Sequence, residues 1–388
     1  MATVRRLMGS IGAIKAAPLL LLLGLMLPAS VAASMNPQIE QAIRHAYNFD
    51  FESASRLLAQ YRQHSPGSPL NQIAAVIYRF LLINQNPDED NFTRMYQALE
   101  EAEQRLGSTA SPAPSGDDPL TLEFFQCLVD YYYMKTCALD GSWVRSVRHA
   151  VRARRSALAL RDAGYANPDL PYILGDQDYS TALVPPHLKL FLAPLNFTPD
   201  REAGISHILQ TVKQGGLMQP EAAIMYISAN IYVEHDYRVA MDTVKDFLQD
   251  YPGNLTARFY FIDLLLREGD LASADQLLTS LNAQHLSGSL SGKWEARLLQ
   301  MRGNRLNAAG DYRGAVALYQ QALGHPDFNG FSATEAALEM GKLLDILGDR
   351  QGAREAYRLS YRSRGLELLK TEARELRSQG FSGSTGSY

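Results

Sequence analysis

Arg145, Arg148, Arg152 and Arg155 recur at intervals of three, four and three residues. On a helix this spacing places all four on one face, with His149 beside them. A guanidinium row of that kind can hold carboxylates, phosphates or an anionic polymer through paired N–H donors. The ordinary alternative is a solvated face compensated by local acids such as Asp140 and Asp162. A second group with chemical potential is Asp176, Asp178, His187 and Asp200, where a catalytic cluster would have to assemble. Other signs of catalysis are missing. The eight histidines (His45, His64, His149, His187, His207, His235, His285, His325) are scattered, and none belongs to an HExxH pair. There is no GxSxG elbow and no GxxxxGK[ST] loop. The chain is therefore not expected to be an enzyme or to carry a cofactor.

Cys127 and Cys137 fall ten residues apart in one expected helix. That separation is about 15 Å along the axis, beyond disulfide reach, so they read as core thiols. With no CxxC and no histidine at ligand spacing, no metal site is expected. Phe124, Phe125 and Tyr131–Tyr133 offer either a carbohydrate-stacking platform or core packing, and packing is preferred. Three consecutive tyrosines on a helix spread over about 200°, so at least one is expected to be exposed or at a seam between helices.

Bulk properties narrow the classes further. The chain has 388 residues, 46% hydrophobic and 20% charged, with a formal net charge of -4. Arg5, Arg6 and Lys15 precede the apolar run Leu19–Leu27, which only Gly24 interrupts; Val31 and Ala33 then stand at the small-residue positions of a signal-peptidase site. Residues 1–33 thus read as an export leader removed after Ala33, with retention as an anchor the alternative. The mature chain keeps 34 basic against 41 acidic residues, which argues against nucleic acid as a partner. No cysteine lies near the cleavage site for lipid attachment, and no later segment is long enough to span a membrane. The expected address is the bacterial periplasm or beyond. There the sequons at Asn91, Asn196 and Asn254 carry no meaning.

The elements that would position these residues are set by an internal repeat. Four turns read His235-Asp236-Tyr237, Gly269-Asp270-Leu271, Gly310-Asp311-Tyr312 and Gly348-Asp349-Arg350. Each is followed by a small residue (Ala240, Ala274, Ala315, Ala353) and, four later, by a large one (Val244, Leu278, Tyr319, Tyr357). Glycine supplies the positive φ that ends one helix, and aspartate caps the next. Alanine lets two helices approach, and the large residue one turn on fills the space between them. The alanines are 34, 41 and 38 residues apart, with the extra residues in the loops 284–293 and 325–332. Gly303 and Gly341 stand twelve residues before Ala315 and Ala353; Ser228 holds the same place, Ile262 departs from it, and Pro252 closes the first unit.

This grammar resembles the tetratricopeptide repeat family over about 221–365. The resemblance implies an all-α fold, a right-handed superhelical α-solenoid of antiparallel helix pairs. A further unit opens the mature chain with Asp50-Phe51, Ala54, Leu58 and Pro66. The expected organisation is N-terminal helix pairs over 34–106, a linker over 107–119, a helical middle region over 120–215, four units over 216–377 and a disordered Gly/Ser tail over 378–388. Within the middle region, Gly164–Pro199 reads as a long irregular loop punctuated by proline and glycine. The order of a basic helix, a Leu-Phe-Leu-Ala-Pro run and an Asp-Arg-Glu-x-Gly-Ile helix resembles a group of exported bacterial repeat proteins to which no activity attaches.

The resemblance also implies a concave inner face built from the first helix of each unit. Its positions here are Ala222, Met225, Ala229 and Tyr232; Thr256, Phe259, Asp263 and Leu266; Arg297, Gln300, Asn304 and Asn307; Glu335, Leu338, Lys342 and Asp345. The face begins apolar and turns polar. It suits an extended peptide or a partner helix, with Met225, Tyr232, Phe259, Arg297, Asn304, Asn307 and Lys342 as the expected contacts. Some family members clamp a terminal carboxylate. Asn304 fits that pattern, but Gln300 replaces the required lysine and Glu335 would repel the ligand. The expected function is a scaffold or adaptor for a protein or peptide partner in the envelope. The alternative is a binding module for an anionic glycan or cell-wall ligand through Arg145, Arg148, Arg152 and Arg155.

Overall fold

A computed structural model describes residues 36–107, 118–184, 197, 199–287, 292–328, 330–363 and 365–383. The expected leader, most of the linker and the end of the tail lie outside the described residues.

All regular structure among the described residues is helical. In chain order the helices are α1 (Pro37–Tyr47), α2 (Phe51–His64), α3 (Leu70–Gln85), α4 (Glu89–Gly107), α5 (Pro119–Asp140), α6 (Trp143–Asp162), α7 (Leu170–Ala182), α8 (Arg201–Gln214), α9 (Gln219–Tyr232), α10 (Tyr237–Asp250), α11 (Leu255–Glu268), α12 (Leu271–Leu286), α13 (Lys293–Ala308), α14 (Tyr312–Leu323), α15 (Gly330–Ile346), α16 (Arg350–Arg362) and α17 (Glu367–Gln379). Consecutive helices pack as pairs from α1/α2 to α15/α16, and α17 lies against the last pair. The result is an α-solenoid in which the middle region continues the stack as α5/α6 and α7/α8.

The turn chemistry works as the repeat implies. Gly269, Gly310 and Gly348 have φ of 78°, 81° and 83°. The following aspartates accept from the backbone N–H three residues on, at 3.0 Å for Asp270, 3.0 Å for Asp311 and 2.9 Å for Asp349. Phe49 and His235 take the same left-handed conformation without being glycine, at φ 61° and 56°. Their neighbours Asp50 and Asp236 cap α2 and α10 in the same way, at 3.1 and 3.0 Å. The small-residue position is equally literal. A Cβ on Gly303 would stand 2.7 Å from the Tyr319 ring, and one on Gly341 2.5 Å from Tyr357.

One expectation is corrected. The stretch 164–199 is not one irregular loop, because α7 occupies Leu170–Ala182 within it. Pro171 sits in the first turn, where its missing N–H is not needed. Tyr172–Tyr179 are all buried, so the helix has no polar face to give it an amphipathic period. Its packing against α8 depends on glycine at the crossing: a Cβ on Gly204 would meet the Tyr179 backbone nitrogen at 2.6 Å, and one on Gly175 would meet the Gly204 carbonyl oxygen at 2.8 Å. The preferred reading of the tyrosine run as core packing at helix seams holds: Tyr131, Tyr132 and Tyr133 are 0%, 0% and 4% exposed. No tyrosine of the run reaches solvent because α5 is covered by α3, α4 and α6 and reaches α7 and α9 through side-chain hydrogen bonds. Cys127 and Cys137 are buried free thiols, as expected.

The stack also closes on itself. Asn254 Nδ2 donates to the Tyr47 carbonyl at 2.7 Å, the Gly253 amide donates to Asn48 Oδ1 at 2.9 Å, and Arg44 reaches Asp250 at 3.0 Å. The Tyr47 and Tyr251 rings meet edge-on at 5.9 Å, and Phe49 lies 5.6 Å from Trp294. The first pair thereby seats on α10, α11 and α13.

Gly204→Ala should lower the unfolding free energy by about 2–3 kcal/mol in urea titrations, because the methyl group meets backbone that cannot step aside. Gly107→Ala, where nothing lies within 4 Å, should be close to neutral. Equal midpoints for the two variants would refute the tight α7–α8 crossing.

Candidate functional site

The inner helices α9, α11, α13 and α15 bring one group of polar side chains together. Arg297 Nη1 lies 3.0 Å from Glu335 Oε2 and donates to Gln300 Oε1 at 2.5 Å. Gln300 Nε2 donates to the same Glu335 oxygen at 2.8 Å. Arg267 Nε donates to Asp263 Oδ2 at 3.0 Å, and the Arg267 guanidinium lies over the Tyr237 ring at 5.1 Å. A longer contact of 4.0 Å joins Arg267 to Glu335. Tyr232 closes the group: its hydroxyl is 3.5 Å from Arg297 Nη2, and its ring is 4.3 Å from Phe331.

Two guanidinium groups thus face two carboxylates in the interior, and their ionisation follows from that balance. Burial acts to lower the pKa of Arg297, but the carboxylates of Glu335 and Asp263 outweigh it and hold the value above normal. Arg267 follows the same logic, with Asp263 and Glu335 overcoming desolvation. Burial pushes the Asp263 carboxyl up, against the pull of Arg267. Burial and then Glu335 hold the Tyr232 hydroxyl well above its ordinary range, which leaves it a poor nucleophile at neutral pH. Asp263 Oδ1 is buried with no hydrogen-bond partner among the described residues.

The expected contact residues are therefore not an open lining. Tyr232, Phe259, Arg297, Asn304 and Asn307 are buried, while Met225 and Lys342 are half-buried. Phe259 stacks on Trp294 at 5.8 Å, which in turn meets Phe49 of the first pair. Asn304 accepts from the Tyr319 hydroxyl at 2.7 Å. Lys342 pairs with Glu339 at 2.8 Å and with Glu372 of α17 at 2.9 Å. Helix α17 covers this end of the inner face, and the Phe381 amide donates to Asp345 Oδ2 at 2.8 Å. Arg267 was not among the expected residues; its spacing of four from Asp263 was the available signal.

The arginine row of α6 lies elsewhere. Arg145, Arg148, Arg152 and Arg155 are exposed along one helix face. Arg152 pairs with Glu103 at 3.1 Å and Asp130 at 3.2 Å, and Arg145 lies over the Tyr96 ring at 5.0 Å. His149 points inward instead, stacking on Tyr133 at 4.4 Å with its Nδ1 2.7 Å from Asp130. The buried arginine of this helix is Arg154, which reaches Asp178 at 2.7 Å.

Asp176 belongs to a second buried group. Its oxygens accept from Tyr131 at 2.7 Å and Ser180 at 3.1 Å. Glu221 Oε2 accepts from Tyr132 at 3.0 Å; its Oε1 accepts from Tyr172 at 3.4 Å and from Lys135. All four carboxylate oxygens are engaged by the chain's own donors, which makes the group a brace between helices. Among the described residues no three His, Cys, Asp or Glu side chains are grouped to hold a metal ion.

No protein-family model matches the chain, and no curated protein sequence matches it. The solved structures similar in helical arrangement include the following three. NprR in complex with its cognate peptide NprX aligns at a TM-score of 0.39 and 12% identity, covering 88% of this chain and 83% of that one. The apo form of the quorum sensor NprR from B. thuringiensis aligns at 0.37 and 13% identity, covering 84% and 97%. Yeast Tom70 aligns at 0.28 and 11% identity, covering 88% of each chain. Likeness at these scores assigns no function to this chain.

Breaking the buried pair from one side should be costly. Glu335→Ala and Arg297→Met should each destabilise by about 3–5 kcal/mol, since each leaves an unpaired charge in the interior. The double variant Arg297→Met with Glu335→Met should recover most of that loss. Additive losses in a double-mutant cycle would show that the two groups do not act as a pair.

Proposed function

We propose that this chain is an exported helical-repeat scaffold that engages a protein or peptide partner along the inner face of its C-terminal units. The observation that carries this reading is the polar lining of that face. Around α1 the interior is apolar, as packing alone favours, because each buried polar group has to be compensated. Instead α13 and α15 present Arg297, Gln300, Asn304, Asn307 and Glu335 inward, and Asp263 Oδ1 has no hydrogen-bond partner among the described residues. Amides and a carboxylate at successive turns can bond the N–H and C=O groups of an extended peptide. The half-buried Met225 at the start of the face and Lys342 at its end mark where a ligand would first touch. A ligand would enter by exchanging these internal partners for its own groups.

The sequence alone supports the export step, through Arg5, Arg6, the run Leu19–Leu27 and the small residues before Ser34. The glycan alternative has less behind it, because the four arginines of α6 lie along an exposed face and Arg152 is already compensated. One experiment addresses both parts. A photo-crosslinking residue is placed in cells at Met225 or Lys342, with exposed Arg313 as the control. We expect polypeptide adducts at the first two sites and none at the third. We also expect the recovered chain to begin at Ser34. Adducts only within the chain would remove the scaffold reading; an intact leader on cytoplasmic protein would remove the export reading.

A further inference from the structure

Eight large hydrophobic side chains are exposed among the described residues, and four of them lie within nine residues of sequence: Leu139, Trp143, Val144 and Val147. The other four sit on separate elements. Trp143 is 66% and Val144 79% exposed, which is unusual for side chains with so much to gain from burial. Trp143 opens α6, Val144 follows it, and Val147 lies one turn on along the same edge, with Leu139 just before the α5–α6 turn. Arg145 and Arg148 continue this exposed face, and no acid stands in the first turn of α6. An apolar edge and a cationic edge therefore lie side by side on one helix of a chain whose net charge is negative.

We infer that this edge of the solenoid rests on an anionic lipid surface. The chemistry of the patch selects that occupant. A tryptophan ring settles at headgroup depth, where its apolar body is buried and its N–H stays hydrated. Arginine stems extend along the same boundary and place their charges on lipid phosphates. A soluble polyanion would use the arginines but would gain nothing from Val144, Val147 or Leu139. A few inserted side chains backed by arginines match a peripheral and reversible membrane contact. No described helix is long and apolar enough to cross a membrane, so this contact lies on the surface.

The sequence contains its own reporter. It has two tryptophans, and Trp294 is only 8% exposed, so a change in emission on binding reports Trp143. The purified full chain is mixed with vesicles of phosphatidylglycerol and phosphatidylcholine in equal parts, or of phosphatidylcholine alone. We expect a blue shift and co-sedimentation with the anionic vesicles only. Trp143→Ser/Val144→Ser and Arg145→Gln/Arg148→Gln should each weaken sedimentation by about tenfold or more, with helical circular dichroism unchanged because all four positions are exposed. The proposal is overturned if anionic vesicles cause neither shift nor sedimentation. It is also overturned if the Trp143/Val144 variant binds as tightly as the parent, the outcome for a polyanion site that reads charge alone. A dimer in light scattering that the same variant dissociates without lipid would assign the edge to a second copy and overturn it as well.

Discussion

The bridge between Lys135 and Glu221 holds the two halves of the stack together. Lys135 comes from α5 and Glu221 from α9, with the α7 residues Tyr172 and Asp176 between them. An ammonium half-buried in this way loses part of its hydration, so it persists where its surroundings replace water. Here the replacement is dense. Glu221 pairs with it, Asp176 adds a second negative charge nearby, and the rings of Phe80, Tyr131 and Tyr172 lie 5.4, 5.2 and 5.9 Å from its nitrogen. Burial lowers the pKa of Lys135, but the two carboxylates more than offset that effect and the group stays charged. An apolar seam would tolerate sliding of one helix along another. A single charge with fixed partners on three helices does not, so it sets the register at which the repeats meet the middle region.

With that register fixed, the curvature of the stack brings its first pair back onto α10 and α11. The straps there are backbone-directed. Asn48 and Asn254 each join the other segment's main chain, and Asn254 caps α11 while donating to Tyr47. Closure changes what the inner face is. In an open solenoid the first helices present side chains to a partner; here Phe49 and Trp294 cover Phe259. The inner row has become core at one end and a charge-balanced polar layer at the other. The same side chains that the repeat register marks as contacts are therefore held by the chain itself.

How much of this was legible in the sequence follows from the range of each interaction. The Gly-Asp turns, their caps and the tyrosines over Gly303 and Gly341 are set within fifteen or so residues, and the repeat pattern shows them directly. Helix α7 was hidden for a physical reason: it is surrounded on all sides, so it lacks the polar stripe that marks a helix, and its Pro171 and Gly175 imitate a loop. The packing of Tyr131–Tyr133 was readable as the preferred alternative, but not which helices would cover each ring. Burial of Tyr232, Phe259 and Arg297 depends on contacts such as that between Asn48 and Gly253, about two hundred residues apart. These arise from small rotations summed over the stack, which no local period encodes. The arginine row of α6 was visible as a pattern, but only the fold separates exposed Arg148 from buried Arg154.

The balance of charge on the inner face also limits what it can accept. Arg267 and Arg297 are already matched by Asp263 and Glu335. A ligand carboxylate entering this group would leave a net negative charge where water is scarce, at a cost that grows as the local dielectric falls. Backbone amides carry no net charge; a peptide N–H could donate to Asp263 Oδ1, and a peptide N–H and C=O could take the bonds now made by Gln300. The same reasoning explains why the carboxylate-clamp pattern is incomplete here. Gln300 stands where that pattern needs a cation, and Glu335 would repel the anion. For the partner proposed above, an inner face built this way would favour the middle of a chain over its terminus.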